Sequence, residues 1–218
     1  MSRQSITFTT VDGPYWTNKP VVIVGGGASL DGFDFNRLKD SFYVLTVNGS
    51  IFDIPWADAG FSSDRMAISN WWTRFCNDVS MPLHFALPFP WIENVNTPPS
   101  DNMKFHTRIH RNTFQKRNDQ ISSKCTSGFG ALNLAWLKKA KKIVLLGFDY
   151  GPIDEKWHHN QQHYNFKYTQ RDDNWQRWAK NFNYVSDLLK SDGVEVINAS
   201  PNSRIKSFPC MTIDEALL

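Results

Sequence analysis

Val21-Val22-Ile23-Val24 is apolar at every position, β-branched throughout and closed by Gly25-Gly26-Gly27. A short continuous run of this kind predicts a strand buried on both faces, as in parallel sheets. Tyr43-Val44-Leu45-Thr46-Val47 repeats the pattern and ends at Asn48-Gly49. Weaker strands are predicted at 57–61 and at Leu83-His84-Phe85-Ala86-Leu87, which Pro88 and Pro90 stop. Ile143-Val144-Leu145-Leu146-Gly147 is the clearest strand, and Val194-Glu195-Val196-Ile197 is the last. Between them, helices are predicted at about 65–76, 128–139 and 174–190, the second capped by Thr126 or Ser127. Residues 88–125 carry little periodicity beyond a strand at 104–109, and residues 151–173 are irregular.

Strands alternating with helices imply an α/β fold: a Rossmann-like, mostly parallel sheet with helices on both faces. A length of 218 residues suits one domain, 1–218, with 151–173 as an irregular lid after the strand at 143–147. In such sheets ligands sit beyond the carboxyl ends of the strands. Polar residues gather at those ends here: Gly25 to Ser29, Asn48, Asp64, and Asp149 with Tyr150.

Hydrophobic residues make up 41% and charged residues 21%, which excludes a disordered chain. No apolar run reaches the roughly 18 residues of a membrane span, and the first residues lack a signal-peptide core. Cys76, Cys125 and Cys210 form no CxxC pair, so a zinc cage or disulfide framework is not expected and a cytoplasmic location is. The net charge of +3 is uneven. Lys104, Arg108, Arg111, Lys116, Arg117 and Lys124 face one acid, Asp119, so this segment alone carries +5. That asymmetry points to phosphate-bearing ligands or an anionic acceptor, nucleic acid or glycan, with Phe105 and Phe114 available for stacking; a solvated loop is the alternative.

The glycine turn can present N–H groups to a phosphate, with the Ser29 hydroxyl beside them. Leu30 stands where a dinucleotide motif needs its third glycine, and Asn48 replaces the ribose-binding acid, so NAD is not expected. Asp64 either contacts an acceptor hydroxyl or metal, or caps the helix behind it. Trp157-His158-His159-Asn160-Gln161-Gln162-His163-Tyr164 supplies candidate general bases, since imidazole titrates near 6.5. His159 and His163 have metal-pair spacing but lack the zinc-protease glutamate. Ser127-Gly128 lacks the serine-hydrolase frame.

Several runs, in order, resemble the bacterial sialyltransferases of the Campylobacter type. They are Val22 to Leu30 with Asp34-Phe35-Asn36-Arg37-Leu38, Val47-Asn48, Lys124-Cys125-Thr126-Ser127-Gly128, Ile143 to Tyr150, and Pro201-Asn202-Ser203. The same skeleton occurs in a wider group that includes archaeal pterin pyrophosphokinases and phage proteins. The resemblance implies a metal-independent glycosyltransferase using a CMP-linked sugar, with no resident cofactor. It makes His163, in a His-Tyr pair, the base. Gly25, Gly26, Gly27, Asn48, Lys124, Thr126, Ser127 and Gly128 would hold the nucleotide, with Asn202 and Ser203 at its cytidine part. Lys124 stands in for an arginine, and Tyr150 for a tyrosine one position later. The alternatives are a magnesium-dependent phosphoryl transferase using Asp64 and Asp149, or a non-enzymatic nucleotide or nucleic-acid binder.

Overall fold

In the computed structural model, residues 3–93, 95–124, 126–164 and 172–218 are described. An eight-stranded sheet forms the centre. In chain order its strands are β2 (Val21–Val24), β3 (Tyr43–Val47), β4 (Ala59–Ser62), β5 (Leu83–Leu87), β7 (Met103–Ile109), β8 (Gln120–Ser122), β9 (Lys142–Leu146) and β10 (Glu195–Asn198). Two short strands, β1 (Arg3–Ser5) and β6 (Trp91–Glu93), pair antiparallel with each other outside it. The spatial order is β10-β9-β2-β3-β4-β5-β7-β8, and every neighbouring pair is parallel.

The helices are α1 (Arg65–Asp78), α2 (Ser127–Leu137), α3 (Asp172–Lys180), α4 (Asn183–Ser191) and the short α5 (Ile213–Ala216). They cover both faces, which is why the strand sequences are continuously apolar. Val21, Ile23, Leu45, Val47, Ile143 and Leu145 point into a core shared with α2 and with Phe182, Val185 and Leu189. The alternate residues Val22, Val24, Val44, Val144 and Leu146 point into the opposite core, with Trp71, Trp72 and Phe75 of α1. Gly130 lets α2 lie close on the sheet, because a Cβ there would stand 2.7 Å from the Phe61 ring.

The predicted helix at 174–190 is two helices. The break between α3 and α4 places the fully buried Phe182 against Phe129 and Phe148. From β2 the chain builds outward through β3, β4, β5, β7 and β8, then returns to β2's other side as β9 and β10. The strand order therefore reverses between β2 and β9. The crevice beyond their carboxyl ends is the switch point where ligands sit in open α/β sheets. Among the described residues no helix is long and apolar enough to cross a membrane.

Candidate active site

A cavity of about 430 Å³ opens at this switch point. Its floor is the glycine turn after β2 together with Phe148, Asp149 and Tyr150 after β9. The turn is held by its own chain. Gly25 N–H donates to Leu146 O, Gly27 N–H to Gly147 O, and both the N–H and the hydroxyl of Ser29 donate to the Asp149 carboxylate. The expected phosphate donors at Gly25, Gly27 and Ser29 are thus already engaged, and Ser29 does not border the cavity. Asp149 is buried, which raises its pKa, while the two bonds from Ser29 act to hold the charged form.

The glycines answer to protein packing. A Cβ on Gly27 would stand 2.5 Å from Asp149 Oδ2 and 2.6 Å from Gly147 O, and one on Gly25 would stand 2.6 Å from Gly147 O. Gly27→Val therefore cannot simply place a side chain where a ligand approaches, as the sequence suggests. It should destabilise the fold by about 1–3 kcal/mol or more. For a chain of this size that is a fall in Tm of at least roughly 2–4 °C per kcal/mol, read by thermal denaturation without ligand. An unchanged Tm would show that the turn can open.

One side wall comes from α2 and β4. Thr126 caps α2 by accepting from Phe129 N–H, and its hydroxyl pairs with Tyr150 Oη at 2.9 Å. Ser127 Oγ accepts from Ser63 N–H at 3.0 Å. Asn48, in the left-handed region at φ 54, accepts through Oδ1 from Ser62 Oγ. Asp64 caps α1, accepting from the Met66 and Ala67 N–H groups, and also borders the cavity. Asp64 and Asp149, the pair required for magnesium-dependent phosphoryl transfer, are thus each engaged by backbone or side-chain donors of this chain. Arg108 brings a cation to the cavity from β7, its guanidinium donating to Ser63 O at 2.9 Å. Arg65 borders the same end.

The segment after β9 closes the other side. His158 Nδ1–H donates to Gly26 O at 3.2 Å, and His159 N–H donates to the same carbonyl. The His158 ring stacks on Tyr164 with centroids 4.2 Å apart. Burial lowers the His158 pKa to about 4, only partly opposed by the bond to Gly26. The imidazole is therefore neutral at pH 7, and because Nδ1 carries the proton, the basic lone pair is on Nε2. Burial also pushes the Tyr164 phenol well above its ordinary value. Trp157, Trp175 and Trp178 add an aromatic border, with Trp157 and Trp175 stacked at 5.9 Å.

His163 is placed differently from the expectation. Its Nε2–H donates to Asp53 Oδ1 at 2.7 Å and its Nδ1 accepts from Arg74 at 3.3 Å, so both ring nitrogens are occupied away from the cavity. His159 likewise turns to Asp53, with Nε2 3.5 Å from Oδ2. Lys124 and Asn202 do not border the cavity. Nor does Ser203, which is buried and donates to Phe148 O. Among the described residues of the basic segment, only Arg108 borders the cavity; Arg117 is paired with Asp119. Phe105 and Phe114 are buried in the two cores and offer no stacking surface. Cys125 and residues 165–171 of the expected lid lie outside the described residues.

The structure thus brings Gly25, Gly26, Gly27, Asn48, Asp64, Thr126, Ser127, Gly128, Asp149, Tyr150 and His158 around one cavity. Sequence reasoning did not single out Ser63, Arg65, Trp175, Trp178 or Asp53. The tryptophans had a usable signal, their i, i+3 spacing on a predicted helix.

The fold is that of solved glycosyltransferases. The MAf glycosyltransferase from Magnetospirillum magneticum AMB-1 superposes with a TM-score of 0.59 at 12% identity, over 96% of this chain. This chain spans only 35% of that protein's length. The sialyltransferase CstII from Campylobacter jejuni, in complex with cytidine-5'-monophosphate, superposes with a TM-score of 0.51 at 17% identity, over 91% of this chain and 86% of that one. A single-residue variant of the same enzyme with CMP gives 0.50 at 16% identity, over 88% and 85%. The sequence matches no family model and no curated protein.

Proposed function

We propose that this protein is a glycosyltransferase that moves a sugar from a nucleotide-activated donor to an acceptor hydroxyl, with His158 as general base. The observation that carries the reading is His158 itself. It is a neutral imidazole with Nδ1 fixed by Gly26 O, on the wall of a cavity at the sheet's switch point. The acceptor oxygen attacks the sugar's anomeric carbon as its proton passes to His158 Nε2. The bond from that carbon to the phosphate oxygen breaks, and the phosphate leaves with the electron pair. Positioning and donors to the departing charge supply most of the acceleration. Arg108 and the hydroxyls of Thr126, Ser127 and Tyr150 are the groups proposed to meet that phosphate. In this reading Arg108 takes the part that sequence reasoning gave to Lys124. No step calls for a metal, so EDTA is expected to leave turnover unchanged.

The CMP bound by the CstII structures supports a cytidine nucleotide as the donor's leaving group. The test is donor hydrolysis and CMP binding by calorimetry, with UDP and ATP as comparisons. Arg108→Gln should weaken CMP by roughly 10- to 100-fold, the worth of a charge-assisted bond of about 1.5–3 kcal/mol. Cytidine, which lacks the phosphate, should lose almost nothing. Equal loss for CMP and cytidine would remove Arg108 from the phosphate. Turnover of ATP with magnesium, and none of any nucleotide sugar, would overturn the glycosyltransferase reading.

A further inference from the structure

Asp53 lies outside the cavity, just past the turn Asn48–Ile51 that follows β3. Its carboxylate is reached from more than a hundred residues away. Oδ1 accepts from His163 Nε2–H at 2.7 Å, Oδ2 accepts from Asn160 Nδ2 at 2.9 Å, and His159 Nε2 stands 3.5 Å from Oδ2. The residues that flank these anchors are the two that border the cavity. His158 immediately precedes His159, and Tyr164 immediately follows His163, and their rings stack on each other. We propose that Asp53 is a positioning residue: by binding Asn160 and His163 together, with His159 packed alongside, it sets where His158 and Tyr164 stand in the site.

The surroundings serve the same end. Arg74 of α1 donates to His163 Nδ1, and its guanidinium lies 3.6 Å above the Phe52 ring. Trp71 Nε1–H donates to the His163 carbonyl at 3.0 Å. Asn160, fully buried, also reaches Ser50 Oγ, whose proton goes to Gly25 O. The network therefore ties the segment 158–164 both to α1 and to the glycine turn. A carboxylate is suited to this task because bonds to an ionised acceptor are roughly twice as strong as neutral ones. Burial works against the charge of Asp53, but the adjacent His159 imidazole and the bonds from His163 and Asn160 prevail and lower its pKa to about 2. Asp53 is thus ionised throughout the neutral range. The other charged groups near the network are Arg74 with Asp78, and Asp31 and Asp149, both of which act on His159.

The effect on catalysis rests on the function proposed above; the placement of His158 does not. The test is therefore read first on the imidazole itself, by nitrogen NMR of the histidine side chains in the full chain without ligand. In the wild type, His158 should be the Nδ1–H tautomer and remain unprotonated at pH 6. In Asp53→Ala it should lose that fixed tautomer and titrate near the ordinary imidazole value, while amide exchange quickens over 158–164 and not in β2 or β9. Asp53→Asn, which keeps an oxygen for His163, should fall between the two. In turnover, Asp53→Ala should lower kcat by about 10²-fold, as a misplacement of about 1 Å does, with the donor KM little changed. If Asp53→Ala does not fold, Asp53→Asn decides. An unchanged His158 tautomer and titration in the folded variant overturns the proposal. A wild type that turns over no nucleotide sugar overturns the proposed function instead and leaves the NMR result to judge Asp53.

Discussion

His158→Ala should lower kcat by about 10²- to 10⁴-fold, the usual range for loss of a general base. CMP affinity should change little, because the base acts on the acceptor's proton and not on the donor. The wild-type pH profile provides a second readout. With its pKa lowered to about 4, His158 is unprotonated well below neutrality. The profile of kcat/KM reports the free enzyme's base, so it should show no acidic limb near 6.5. His163→Ala inactive with His158→Ala active would return the role to the residue that the sequence favours. The structure argues against that outcome: the His163 lone pair is met by Arg74 and its N–H by Asp53.

The strands were legible because both faces of the sheet are covered. That requirement makes β2, β3 and β9 apolar at almost every position, a pattern with little competition from helices at four or five residues. β1, β6 and β8 have three residues each, too few for any period to show. The break between α3 and α4 is set by Phe182 packing on aromatics from α2 and the end of β9, a tertiary demand with no local sign. The carboxyl ends of the strands located the site, because topology alone fixes where an open α/β sheet leaves a crevice.

The roles within the site were less legible. A glycine run reads the same whether a phosphate or a carboxylate lies against it, and here Asp149 packs on Gly27. Six cations in one segment gave no means of choosing Arg108, which follows from the strand pairing that sets β7 beside β5. Asp53 belongs to no motif, and its partners are 107 and 110 residues away. Among the three histidines of this segment, the His-Tyr pair of the resemblance favoured His163. The turn Gln161–His163 carries His163 toward α1 and away from the cavity, a placement with no local sign.

Stability should fall steeply as the pH drops from about 6.5 toward 4. Burial lowers the pKa of His84, His106 and His158, with His106 and His158 each reaching about 4. His84 and His106 form one polarised chain. His106 Nδ1–H donates to Thr9 O, which leaves its Nε2 to accept from His84 Nδ1–H at 2.9 Å. A proton added to His106 Nε2 would face that N–H directly, and Lys138 and Lys104 oppose it further. The unfolded chain therefore takes up protons first. Stability is fully present above the unfolded value near 6.5 and drains as pH falls toward the folded value near 4, at about 1.4 kcal/mol per pH unit for each histidine. For His106 and His158 that amounts to on the order of 3 kcal/mol each, against a typical total of about 5–15 kcal/mol. Asp53 does not contribute in this window, since its lowered pKa withdraws stability only below about 3.8. Asp149, with its pKa raised, acts in the opposite sense and offsets part of the loss. Urea denaturation at pH 7.5, 6 and 5 measures the effect: the midpoint should drop at each step with an unchanged m-value. A midpoint constant from pH 7.5 to 5 would mean that these imidazoles are not held neutral by the fold, and that His158 does not stand ready as an unprotonated base.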